Sequence, residues 1–206
     1  MKLLIFGAKG GTGQELVQQA LDRGHDVTAL VRRPAALPFT HARLRLVVGD
    51  VLQPESFAAA LHQQEAVVSV LGRNSLQPMT FYRQSARHIV EQMERAGVQR
   101  LVCLTSVGVV EKPLGPLWYV WLLKPLFKHI YADMRQMEQT IRASGLAWTI
   151  VRPSRLFDGK RIGRYRVGTS GELEQAYSIS RADVASCMLN QLDTQVNWQQ
   201  ALAVAY

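Results

Sequence analysis

Four glycines fall within seven positions in GAKGGTG, Gly7 to Gly13, directly after the apolar run Leu3-Leu4-Ile5-Phe6. Glycine admits positive φ and lets other atoms approach the main chain, but it weakens regular elements, so the cluster needs a compensating reason. From Thr12 to Arg23, Leu16, Val17, Ala20 and Leu21 recur at helical spacing, which makes the order strand, glycine turn, helix. The first amides of a helix are unpaired and its dipole favours negative charge, so this arrangement suits a diphosphate. Gly7 would allow the sharp exit from the strand, Gly10 the close approach of a pyrophosphate, and Gly13 close packing of helix on strand. The spacing Gly7-x-x-Gly10-x-x-Gly13 departs from the GxGxxG of many dinucleotide sites, and a tight turn without a ligand is the competing reading.

The end of the second predicted strand, Asp26 to Val31, shifts that balance. Folds that prefer NAD place an acidic residue about 20 residues beyond the glycine loop, on the ribose 2′-hydroxyl. Here Arg32 and Arg33 stand there, and no carboxylate follows until Asp50. A guanidinium matches a 2′-phosphate in charge and in bidentate geometry, so the expected cofactor is NADP(H). Ordinary solvated surface charges are the alternative.

Strands are expected at 2–6, 26–31, 44–48, 66–71, 101–105, 147–151 and about 201–205. Helices are expected at 12–23, 54–61, 78–96, about 127–143 and from about Ser180. Alternation of short apolar runs with amphipathic segments predicts an α/β fold: a Rossmann-type, doubly wound, mostly parallel sheet with helices on both faces. The 206 residues suit one domain, with the portion from about Arg152 to Tyr206 covering the carboxyl ends of the strands on the substrate side.

Composition narrows the function classes. The chain is 48% hydrophobic and has no low-complexity tract, which argues against disorder. Cys103 and Cys187 lie apart in apolar stretches, and the histidines are scattered, so a reducing compartment and no metal site are expected. MKLLIF is too short for the apolar region of a signal peptide, and no apolar stretch reaches the roughly 18 residues of a membrane span, so a cytoplasmic protein is expected. The net charge of +8 is dispersed rather than blocked and accompanies no nucleic-acid motif, so a nucleic-acid partner is not expected.

These residues resemble the atypical short-chain dehydrogenase/reductase group with an NAD(P)H-binding, NmrA-like domain, and within it the biliverdin-IXβ reductase, or NADPH-flavin reductase, branch. The likeness is carried by IFGAKGGTG at 5–13, VTALVR at 27–32, VVGDVLQ at 47–53, LGRN at 71–74, ARHIVEQMERAGVQRLVCLTS at 86–106 and IRASGLAWTIVRP at 141–153. The resemblance implies that Gly7, Lys9, Gly10, Gly11, Thr12 and Gly13 line the pyrophosphate, with Arg32 and Arg33 at the 2′-phosphate. It implies Asp50 and Val51 at the adenine, and Leu71, Gly72 and Arg73 beside the nicotinamide ribose. Thr105, Ser106, Pro153, Ser154 and Arg155 would border the nicotinamide and substrate. The alternative readings are a turn residue for Asp50 and a capping hydroxyl for Ser106, while Ser180-Arg181-Ala182-Asp183 reads as a helix capping box.

The pattern also breaks. The Tyr-x-x-x-Lys proton-transfer pair of ordinary members of the group is absent. Tyr131 has Arg135 four residues on, and the usual lysine position falls at Met134, one residue out of register. Tyr131 therefore stands as a candidate proton donor against a reading as packing or pocket wall, beside Ser106 as a candidate hydrogen-bond donor. Arg155 occupies the place of a histidine in the bilin-reducing branch. The expected chemistry is hydride transfer to a planar acceptor that water protonates readily, such as a flavin, quinone or bilin-like compound. The alternative is a non-catalytic NADP(H) redox sensor. The segment LGPLWYVWLLKPLFKHIY, 114–131, offers a hydrophobic lid, a weak membrane-surface contact, or an ordinary buried or self-association face. A monomer or homodimer is expected.

Overall fold

Apolar runs of four to seven residues form the inner strands because neighbouring strands and helices bury both faces of each. The computed structural model describes the chain apart from residues 34–36, 74, 76, 111–123, 170–172 and 174. In chain order the elements are β1 (Lys2–Phe6), α1 (Gly11–Asp22), β2 (Asp26–Val31), β3 (Leu44–Val48), β4 (Ala66–Ser69), α2 (Phe81–Ala96), β5 (Arg100–Leu104) and α3 (Lys128–Ala143). They continue with β6 (Ala147–Pro153), β7 (Arg155–Phe157), β8 (Arg166–Gly168), β9 (Ser178–Ser180), α4 (Arg181–Asn190) and β10 (Gln200–Ala205).

The main sheet runs β3-β2-β1-β4-β5-β6-β10-β8, and β7 pairs with β9 in a separate two-stranded sheet. All pairings are parallel except β10 with β8. Helices α2 and α3 cover one face, around Phe6, Phe57, Met93 and Ile141, and α1 and α4 cover the other, around Leu3, Ile5, Leu16 and Met188. This is the expected doubly wound Rossmann-type α/β fold. The chain leaves β1 toward β2 and β3, then crosses back to β4. That reversal opens a crevice between the carboxyl ends of β1 and β4, the place where such sheets bind ligands.

Several expected bounds move for physical reasons. The helix expected from Pro78 starts at Phe81, because its first turn is capped from elsewhere: Asp133 of α3 accepts the Tyr82 amide at 2.8 Å, whereas the Thr80 side chain makes no cap bond. Residues 54–61 form two 3-10 turns, Pro54–Ser56 and Ala58–Leu61, rather than one helix. The fourth strand ends at Ser69 rather than Leu71, and β6 extends to Pro153. The three-residue strands β7, β8 and β9 were not expected. Residues 114–123 of the proposed aromatic lid lie outside the described residues. No helix among the described residues is long and apolar enough to cross a membrane.

Candidate functional site

Gly7 leaves β1 at φ +84°, and a Cβ there would lie 2.6 Å from the Val70 carbonyl oxygen at the end of β4. Glycine is thus required twice, by backbone angle and by the approach of two strands. A methyl on Gly13 would overlap the Gly7 carbonyl oxygen and sit 2.8 Å from Ala8 backbone atoms, so α1 packs on the turn with no room for a side chain. Gly10 differs, since a Cβ there would meet only the Gly7 oxygen, at an ordinary 3.5 Å. Packing does not require glycine at Gly10, whereas a ligand pressed against the main chain does. Gly10 is also the N-cap of α1, makes no side-chain cap bond, and the first turn carries no carboxylate. The start of α1 therefore keeps its amides and positive dipole end for an anion, and the cradle fits a pyrophosphate. Lys9, Gly10 and Gly11 are exposed around it, while Thr12 and Gly13 are buried.

Arg32 and Arg33 follow β2 directly and are exposed at the same edge of the sheet. Asp50 uses Oδ1 to accept the Leu52 amide at 2.9 Å, and its own amide donates to Ser56 Oγ, also at 2.9 Å. One carboxylate oxygen thus builds a turn, as the punctuation reading expected. Val51 is buried and its carbonyl meets His88 Nδ1 at 3.0 Å. Past β4, the Leu71–Arg73 stretch is pinned by Tyr82, whose hydroxyl accepts from the Arg73 amide at 2.9 Å and donates to its carbonyl at 3.0 Å. The Arg73 guanidinium lies 5.6 Å from the centre of the Phe81 ring.

At the end of β5 the side chains separate by role. The Thr105 hydroxyl donates to Glu138 Oε1 at 2.8 Å, and Glu138 also takes Arg152 Nε at 2.9 Å. Thr105 is therefore committed to a buried network beneath α3, so any contact it makes with a ligand falls to its backbone. Ser106 caps the 3-10 turn Val107–Val109, its oxygen accepting the Gly108 amide at 3.1 Å. That bond fixes the oxygen and leaves the hydroxyl proton to donate. Tyr131, on α3, packs against this turn: a Cβ on Gly108 would overlap its ring and sit 2.7 Å from its hydroxyl. The structure thus brings Tyr131 against the turn that Ser106 caps, 25 positions earlier in the chain. Pro153, which ends β6, and Ser154 after it are buried, and Arg155 is exposed at the start of β7.

Neither cysteine offers a nucleophile, because burial pushes the Cys103 thiol up to about 12 and the Cys187 thiol to about 11. The Ser180–Asp183 pair does cap α4, with Ser180 Oγ accepting the Asp183 amide at 3.1 Å. Asp183 does more than cap. Fully buried, it accepts the amides of Ile162 at 3.0 Å and Gly163 at 2.7 Å, and the Tyr206 hydroxyl at 2.5 Å, tying the 158–165 loop and the last residue to α4. Tyr82, Asp133 and Glu138 were not anticipated as organising residues. A signal existed for the two acids, because their spacing places them on the same helical stripe as Ile130, Met134, Met137 and Ile141.

The family described as NAD(P)H-binding matches residues 7–195. The protein YwnB of Bacillus subtilis is 27% identical, over 94% of this chain and 92% of its own. Three longer relatives are spanned over only 33% to 57% of their length. Among solved structures, a short-chain dehydrogenase/reductase of Veillonella parvula in complex with NADP superposes with TM-score 0.84 at 18% identity, over 100% of this chain and 94% of the other. ChuY, an anaerobillin reductase of Escherichia coli O157:H7, superposes with TM-score 0.82 at 23% identity, over 100% and 97%. At those identities the two structures speak for the fold.

Proposed function

Because the chain belongs to the NAD(P)H-binding family, we propose that it is an NADPH-dependent reductase of a planar acceptor, a flavin, quinone or bilin-like compound. The observation that carries this reading is the meeting of Tyr131 with the Ser106-capped turn at the carboxyl end of β5. The glycine loop ends β1 on the same edge of the sheet, with only β4 between, roughly 10 Å away. A dinucleotide seated on the loop would supply the hydride. The chain's own residues bind, orient and exclude water.

In this reading Gly7, Lys9, Gly10, Gly11, Thr12 and Gly13 hold the pyrophosphate and Arg32, seconded by Arg33, the 2′-phosphate. Asp50 and Val51 border the adenine, and Leu71, Gly72 and Arg73, kept in place by Tyr82, border the nicotinamide ribose. Ser106 donates a hydrogen bond to the acceptor, and the Tyr131 phenol, against the turn that Ser106 caps, serves as wall or proton source. Arg135 rather than lysine follows one turn on, so the chain departs from the Tyr-x-x-x-Lys pair of ordinary short-chain dehydrogenases and fits the atypical type. The backbone of Thr105, with Pro153 and Arg155, completes the acceptor side, and Arg155 favours an acidic acceptor. The chain acts as one domain, with 152–206 on the substrate side.

The cofactor assignment is tested by titration with NADPH and NADH. Arg32→Ala is expected to weaken NADPH binding by about 1–3 kcal/mol, the range for charged hydrogen bonds, and to leave NADH nearly unchanged. Equal losses for both would remove the preference for NADPH.

A further inference from the structure

Arg181 opens α4, and its side chain lies across the first residue of α1. A Cβ built on Gly11 would sit 2.8 Å from Arg181 Cδ and 3.0 Å from Nε. The glycine at Gly11 therefore makes room for an arginine stem delivered from the C-terminal portion of the chain. The guanidinium at the end of that stem pairs with Asp158, Nη1 to Oδ1, at 2.9 Å. The two partners are unequal. The Asp158 side chain is 90% exposed on the loop after β7, whereas that of Arg181 is 29% exposed.

We infer that Arg181 is a phosphate-binding residue of the dinucleotide site and that Asp158 is a surrogate anion that it exchanges for the pyrophosphate. The inference rests on the cofactor site proposed at the glycine loop and deepens it. An ion pair this exposed contributes little to stability, so it is readily surrendered. A phosphate offers several oxygens to the planar guanidinium fork, where Asp158 engages a single nitrogen, and it also gains the dipole end of α1. The exchange needs little motion of the arginine, whose stem is already laid over Gly11, and the exposed aspartate swings away. Binding of the dinucleotide thereby anchors the start of α4 to the cofactor and releases Asp158 from it. This gives the SRAD stretch a role beyond capping: Ser180 and Asp183 hold the start of α4, and Arg181 reaches the ligand.

The test is calorimetric titration of the full chain with NADPH and, separately, with adenosine 2′-monophosphate, which carries the 2′-phosphate but no pyrophosphate. Arg181→Ala is expected to weaken NADPH binding about tenfold or more, as for loss of a charged hydrogen bond, with Arg181→Lys intermediate. Binding of adenosine 2′-monophosphate is expected to be unchanged by either. Asp158→Ala is expected to tighten NADPH binding about threefold, the scale of an exposed ion pair. In an Arg181→Ala background, Asp158→Ala is expected to change nothing, because the aspartate acts through the arginine.

An Arg181→Ala protein that binds NADPH as the wild type does would overturn the inference. So would a threefold gain from Asp158→Ala that persists without the arginine. If Arg181→Ala fails to fold, the exposed Asp158→Ala variant decides alone: tightening supports the exchange and an unmoved Kd refutes it. A wild-type protein that does not bind NADPH would instead refute the cofactor site itself.

Discussion

Gly13→Ala is expected to abolish measurable NADPH binding and to cost at least about 3 kcal/mol of stability. The added methyl would overlap the Gly7 carbonyl oxygen and crowd the Ala8 backbone, and these are main-chain atoms of the same turn. Overpacking of side chains typically costs about 1–3 kcal/mol because rotamers shift to absorb it. Here nothing flexible is available to move, so relief requires lifting α1 off the end of β1 and distorting the anion cradle. Gly10→Ala is the informative contrast. Its methyl would meet only the Gly7 oxygen at 3.5 Å, so stability should hold while the pyrophosphate, if it sits there, is displaced. Thermal melts with and without NADPH separate the two. A Gly13→Ala protein with wild-type affinity would show that the cradle is not the binding element.

Asp183→Ala is expected to cost about 3–5 kcal/mol, since it strips partners from the Ile162 and Gly163 amides and the Tyr206 and Ser180 hydroxyls at one fully buried point. The pH dependence has a definite sign. Burial alone would raise the carboxyl pKa, but the bonds from Tyr206, Ile162, Gly163 and Ser180 outweigh it and hold the group below its ordinary value. The folded-state pKa therefore lies below the unfolded value of about 3.9. The stabilisation is complete above that value and is lost as pH falls through the folded pKa. Denaturant unfolding measured across the acid range should show that limb in the wild type and a flattened one in Asp183→Asn. An Asp183→Ala loss below about 1 kcal/mol would make the carboxylate a simple cap.

What could be read from the chain was local. The apolar run, glycine turn and helical spacing around GAKGGTG, and the repeats of that alternation, sufficed for the sheet and its helices. The place of Arg32 and Arg33, exposed just beyond β2, was legible because that strand was, and their role at a 2′-phosphate is part of the proposal. What escaped depends on partners far away in sequence. Helix α2 begins at Phe81 because a carboxylate 51 positions beyond Tyr82 supplies its cap. Strand β8 is three residues long and exists through its pairing with β10. Asp183 draws its ligands from residues 162, 163 and 206, which no spacing rule connects. Thr105 and Ser106 are expected side by side at the nicotinamide; what no spacing shows is that the Thr105 hydroxyl bonds Glu138, 33 positions on, and that the turn capped by Ser106 meets Tyr131.

The proposed reductase activity is tested most directly by following NADPH oxidation by the purified protein with FMN, a quinone and biliverdin offered in turn. Steady turnover of at least one acceptor, lowered when Ser106 is replaced by alanine while the NADPH Kd is unchanged, is the predicted result. Tight NADPH binding without turnover of any of the three would contradict it, and would make the chain a dinucleotide-dependent redox sensor.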